Sequence, residues 1–137
     1  PVGEADARIA LYTREFGKVV AHARGCRKHE SKLSAHLEPC RIIRGRLIEK
    51  TTPRIVDTMT ETTFPSIQKN HAALGRTLSF LGSLNEQTGE FAPDARVWEM
   101  CIAALHAFEK ASCDDAVDAL YAAERAAQNH MKHALGF

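Results

Sequence analysis

Five residues in the first third of the chain are of types that bind metals or act as nucleophiles: His22, Cys26, His29, His36 and Cys40. Thiolate and imidazole are the ligands zinc prefers, and on a helix these five positions share an arc of roughly 80°. Cys26, His29, His36 and Cys40 are therefore the candidate metal ligands. A zinc site needs four ligands within about 2–2.3 Å of one ion, yet Cys26 and Cys40 lie about 21 Å apart along a straight helix. One helix offers two ligands at most, as His22/Cys26 or His36/Cys40, and the rest must come from elsewhere. Val19, Leu33 and Leu37 share this face, so the simpler reading is a core stripe edged by histidines. No cofactor is expected.

Other constellations carry less. Carboxylate-bridged di-iron bundles use Glu-x-x-His, and no such motif occurs here. His130-x-x-His133 has ligand spacing but no acidic neighbours, and suits a cationic last helical turn instead. His71 and Glu124 interrupt apolar seams and are expected to form a buried pair, or a hydrogen bond to Tyr121, that fixes register. Ala21-His22-Ala23-Arg24-Gly25 resembles, over five residues and with the spacing one short, the phosphoacceptor segment of histidine phosphotransfer bundles, which would make His22 the phosphate carrier. Pro1 could act as a secondary amine only on a β-rich frame, which the sequence does not suggest. With no nucleophile, oxyanion loop or glycine-rich phosphate cradle to accompany Glu124 as a base, a non-enzymatic protein is expected.

Charge points to a partner. The net charge is +1, but residues 1–54 carry twelve Lys/Arg against six Asp/Glu, and residues 55–137 six against eleven. The segment Arg41-Ile42-Ile43-Arg44-Gly45-Arg46-Leu47-Ile48-Glu49-Lys50 alternates apolar pairs with cations. Read as a helix, it presents Arg41, Arg44, Arg46 and Lys50 to an acidic protein surface, an anionic membrane or a nucleic acid, in that order. It holds no aromatic residue on which a base could stack.

The elements that must position these groups read as helical. The chain has 137 residues, 45% apolar and 26% charged, with only 8 Gly and 5 Pro: one domain with one core, residues 1–137. From Glu4 to Leu37 apolar residues recur at steps of three and four, predicting one long helix, kinked or broken near Gly25 and stopped by Pro39. A short helix follows over Cys40 to Lys50. Residues 51–63, with six threonines and Pro53, are assigned mostly to connector, with a short helical stretch around Arg54 to Met59. Pro65 opens a helix whose seam is Ile67, His71, Leu74, Leu78 and Leu81. Pro93 opens the next, with Val97, Trp98, Cys101, Leu105 and Phe108 inward. Ser112 is the expected N-cap of the last helix, whose stripe is Val117, Leu120, Tyr121, Ala127 and Met131 and whose end is Gly136.

The expectation is an all-α, antiparallel bundle of four main helices. Its long first helix would project and expose Leu33 and Leu37, which argues for a homodimer. The longest apolar run, Met100 to Leu105, is far too short to span a bilayer, and the acidic stretch Pro1 to Asp6 has no leader character. Four cysteines in helical patterns suit reduced thiols and a cytoplasmic setting. The function expected is a helical-bundle interaction or regulatory protein with a basic N-terminal half; the alternative is a metal-binding or sensor bundle.

Overall fold

A computed structural model describes residues 7–23, 37–48, 52–113 and 117–136. Strands β1 (Ala7–Thr13), β2 (Gly17–Ala23), β3 (Ile42–Ile48) and β4 (Arg54–Thr62) come first. Helices α1 (Pro65–Lys69), α2 (His71–Gln87), α3 (Ala95–Cys113) and α4 (Val117–Ala134) follow. The all-α bundle is thus wrong for the N-terminal half. The expected long first helix is, in its described part, a pair of strands; the Cys40–Lys50 helix is β3; and the 51–63 connector is mostly β4. Gly25 and Leu33 lie outside the described residues. Leu37 packs against the sheet core, so the dimer argument built on a projecting helix loses its basis.

The strands form for reasons that hydropathy alone conceals. In β4, Asp57, Met59 and Glu61 are exposed while Thr58, Thr60 and Thr62 are half-buried, a strict period of two. Threonine is β-branched and fits a pleated, half-buried surface, so the threonine run is strand and not connector. In β2 the inward set is Gly17, Val19, Ala21 and Ala23, all buried, but three of the four are too small to stand out from Lys18, Val20 and His22. The β1–β2 turn over Arg14 to Phe16 is held by Thr13, whose Oγ1 donates to the Gly17 carbonyl and accepts the Phe16 N–H, both at 2.9 Å. Gly17 has φ +70°, and a Cβ there would sit 2.6 Å from the Ala92 carbonyl carbon. Glycine is required both by the turn and by the close approach.

Sheet order is β1-β2-β4-β3. Two antiparallel hairpins, β1/β2 and β3/β4, are joined by a parallel β2/β4 contact at His22↔Arg54, where the His22 N–H donates to the Pro53 carbonyl at 2.8 Å. This leaves β1 and β3 as the sheet's edges. Val19, Ala21, Ala23 and Ile55 are the buried centre of the sheet core, with Ile9, Leu11, Ile43 and Leu47 partly buried around them.

The helical half agrees better with expectation. Phe64, Ile67, Phe80, Leu84, Val97, Cys101, Leu105, Phe108, Ala127 and Met131 belong to one core, against which Tyr12 and Ile42 of the sheet also pack. On α2 the inward face is Ala73, Thr77, Phe80 and Leu84, displaced from the predicted seam: His71 is exposed and Leu78 is 39% exposed. Asn70 separates α1 from α2, its side chain accepting the Ala72 and Ala73 N–H groups as an N-cap. The expected His71–Glu124 pair does not form. Glu124 instead binds Arg76 at 2.7 Å, and that guanidinium lies 4.3 Å from the ring centroid of Tyr121, which is exposed and not in the stripe. Ser112 sits inside α3, its hydroxyl donating to the Phe108 carbonyl at 2.6 Å, and does not cap α4. The N-terminus of α1 is closed from α3: the Ser66 and Ile67 N–H groups donate to the two Glu109 carboxylate oxygens at 3.1 and 3.0 Å.

Candidate nucleic-acid interface

Between the edge strands β1 and β3 and the helices α2 and α3 opens a cleft of about 1370 Å³. Three kinds of group line it. Ile9, Leu11, Ile43 and Ile55 of the sheet core give it an apolar side; Arg14, Lys18, Arg41, Arg44 and Arg46 bring cations; and Tyr12, Phe16, Phe91 and Trp98 bring aromatic rings. Glu15, Glu38, Glu61 and Glu99 also line it, so five cations face four carboxylates and charge alone gives only a weak preference for anions.

The arginines expected to meet a partner are placed on strand geometry, not on a helix face. Arg44 and Arg46 flank Gly45 on β3, about 7 Å apart along the strand and on the same side. Their side chains are 80% and 71% accessible, and they contact Glu61 and Asp57 of β4 at 3.8 and 2.8 Å. Exposed pairs of this kind contribute little to stability, so phosphate oxygens can displace the carboxylates at small cost. Arg41 is more enclosed, 24% accessible, and lies 3.6 Å from Glu38. Lys50 lies outside the described residues.

The rings come from three separated parts of the chain. Phe16 stands in the β1–β2 turn and Phe91 in the link between α2 and α3; they are 49% and 48% exposed. Trp98 is half-buried on α3, with the Arg14 guanidinium 5.4 Å from its ring centroid. The turn and the link are clamped together. The Phe91 N–H donates to the Lys18 carbonyl at 2.9 Å, Lys18 Nζ donates to the Asn85 carbonyl at 2.8 Å, and Gly17 lies against Ala92. Asp94 begins α3 by accepting the Arg96 N–H at 2.9 Å, and its backbone helps hold the Tyr12 hydroxyl, whose pKa is raised chiefly by burial and then by the charge of Asp94. Sequence reasoning looked for aromatics only inside the basic segment and missed these. Gly17 was the signal available, since a glycine ending a hairpin turn marks a close backbone approach.

The metal candidates are not brought together. Cys26, His29 and His36 lie outside the described residues. Cys40 is buried at the entry to β3 with φ +63°. Burial pushes its thiol up to about 11, and Cys101 is likewise pushed up to about 11 by burial first and by Cys40 second. Thiols held protonated are poor ligands and poor nucleophiles. Among the described residues no three His, Cys, Asp or Glu side chains converge on a point. His22, the residue of the phosphotransfer resemblance, is half-buried in β2 and not on a helix, which removes the basis of that likeness. His130 and His133 are exposed on α4, beside Arg96 and Met100 of α3. No described helix is long and apolar enough to cross a membrane.

A cleft that combines spaced arginines with exposed rings on a small sheet is chemically suited to a flexible polyanion with flat bases. Comparison with known proteins agrees in kind. Residues 1–61 match the family described as Recombination protein O N terminal. The chain is 39% identical over 84 residues to the DNA repair protein RecO of Synechococcus sp. (strain JA-2-3B'a(2-13)), covering 54% of this chain and 30% of that protein. It is 32% identical over 106 residues to that of Acaryochloris marina, covering 73% and 34% respectively. It is 31% identical over 117 residues to that of Rubrobacter xylanophilus, covering 79% and 44%. The chain therefore spans less than half the length of these relatives. Together with the sheet, these matches overturn both the helical-bundle regulator and the metal-sensor reading.

Proposed function

We propose that this chain binds nucleic acid in a DNA repair or recombination process, as a part corresponding to the N-terminal portion of the proteins it resembles. The role is binding and not catalysis. One observation carries the reading: a single cleft gathers the exposed Arg44 and Arg46 of β3 with exposed aromatic rings, in a chain similar to DNA repair proteins. The order of partners inferred from charge alone, with nucleic acid last, is thereby reversed. The partly buried Ile43 and Leu47 of the same cleft give it apolar surface that a protein partner could also use.

The test is binding to DNA of defined length as a function of salt. If Arg41, Arg44 and Arg46 each displace one counterion, the slope of log K against log salt is about −2 for a single strand. Arg44→Ala and Arg46→Ala should each make that slope shallower by somewhat under 1. Absence of binding to any DNA at low salt would sink the proposal.

A further inference from the structure

A second hollow, of about 430 Å³, lies where the first turns of α3 meet the last turns of α4. It is lined by Arg96 and Met100 of α3 and by His130, His133 and Ala134 of α4, none of which lines the cleft. Arg96 and Met100 are four residues apart and His130 and His133 three apart, so each pair stands on one face of its helix. The sequence marks His130-x-x-His133 only as a cationic last turn; the packing of α4 on α3 gives the two imidazoles a third donor, the Arg96 guanidinium. No carboxylate lines the hollow.

We infer that Arg96, His130 and His133 form a pH-gated site for a phosphate group, either free phosphate or a phosphate monoester. The inference goes beyond the nucleic-acid reading and does not depend on it. The Arg96 side chain is 77% accessible and lies 3.7 Å from Asp94, whose carboxylate already accepts the Arg96 N–H. An exposed contact of that length contributes little, so the guanidinium can turn to an incoming anion. Helix α4 ends beside the site, with the Gly136 N–H donating to the His133 carbonyl at 3.2 Å, and the negative end of a helix dipole favours imidazolium. Lys132 adds positive charge nearby without lining the hollow. On α2, which also packs on α4, Arg76 is held by Glu124, and Glu86 does not line the hollow. Two imidazoliums and an arginine repel a metal cation. A phosphate monoester brings nearly two negative charges and three acceptor oxygens, one for each donor, whereas a carboxylate brings one charge and two oxygens. Histidine changes its charge between pH 5 and 8, so the site holds three positive charges in acid and only that of Arg96 in alkali.

The experiment follows the imidazole C–H resonances of the whole chain by NMR, assigned to His130 and His133 by substitution. The chain is titrated with inorganic phosphate and with thymidine 5′-monophosphate at about pH 6 and about pH 8. Both should shift these two resonances at the lower pH and bind roughly ten-fold more weakly at the higher. The ligands gain negative charge over that range, so falling affinity points to the imidazoles. His130→Gln and His133→Gln together should flatten the pH dependence, and Arg96→Gln should weaken binding at both pH values. All three side chains are exposed, so the variants keep the fold. Acetate should fail to displace either phosphate. No shift at about pH 6, equal affinity at both pH values, unchanged binding in the variants, or displacement by equimolar acetate overturns the inference. The source of the phosphate is read with 5′-phosphorylated and 5′-hydroxyl oligothymidylate by anisotropy. Tighter binding of the phosphorylated strand, lost in the double histidine variant, assigns the site to a strand end. Equal binding of the two strands, with the free phosphates still bound, assigns it to a small phosphate. The free phosphates are measured without DNA, so a chain that binds them but no DNA refutes the nucleic-acid reading alone.

Discussion

Phenylalanine is used in opposite ways in the helical core and at the cleft where sheet and helices meet. Phe64, Phe80 and Phe108 are at most 1% exposed and lie within the helical core, with Phe80 and Phe108 ring centroids 5.9 Å apart. Phe16 and Phe91, at the rim of the sheet, are half in solvent. The sheet's own core is built of Val19, Ala21, Ala23 and Ile55, with larger residues only partly covered around them. The helical core uses its aromatic surface for internal packing, while the β1–β2 turn and the α2–α3 link leave aromatic surface turned toward the cleft. The contrast separates stability from binding, so substitutions in each region should move different measurements.

The sharpest break of that contrast is Phe108→Ala, which should cost about 3–5 kcal/mol in urea denaturation, whereas Phe16→Ala should stay within about 0.5 kcal/mol. Equal losses would mean that the rim rings are structural after all. Alkaline pH comes next, because Cys40 lies at the entry to the sheet and Cys101 in the helical core. Their thiols are raised from 9.0 to about 11. Below pH 9 they are protonated in both the folded and the unfolded chain and stability is unaffected. From pH 9 to about 11 the unfolded chain ionises first, so stability falls by roughly 1 kcal/mol per pH unit for each thiol. Denaturation midpoints from about pH 8 to 11 should fall more shallowly for Cys101→Ala than for the wild type.

Gly17→Ala tests the clamp between the halves. The left-handed backbone alone costs about 1–2 kcal/mol with a Cβ present, and the contact with Ala92 adds to it. Because Gly17 holds the turn against the 90–93 link, oligothymidylate affinity should fall as well, which sets it apart from Phe108→Ala at temperatures where both remain folded. Glu109→Gln should have the smallest effect, about 1 kcal/mol in thermal or urea unfolding, by weakening the two hydrogen bonds that close α1.

How far the sequence could be read follows the same division. In the helical half Pro65, Pro93 and Gly136 mark ends, and Val97, Cys101, Leu105 and Phe108 show the helical period openly, so α3 was legible. The α2 face was misread because its inward positions include Ala73 and Thr77 while Leu78, on the other side, is larger and more apolar. In the sheet half Ile9, Tyr12 and Phe16 fall at helical spacing by coincidence, Phe16 being in a turn. The inward residues of β2 are nearly all small, so the period of two carries almost no hydropathy signal. Arg44 and Arg46 were legible as exposed cations, because charge needs no fold to be seen. Phe16, Phe91 and Trp98 were not, because only the tertiary contact at Gly17 brings rings from residues 16 and 91 to one place.

Glu109 has a mechanical consequence. Only two residues, Thr63 and Phe64, separate the end of β4 from the five-residue helix α1, too short to hold its own shape, and both N–H groups at its start are gripped by this carboxylate on α3. Tension applied to the sheet by any bound partner would run along β4 into that grip. It would reach the middle of the helical assembly and bypass the covalent links at its ends, so a tug on one half is felt inside the other.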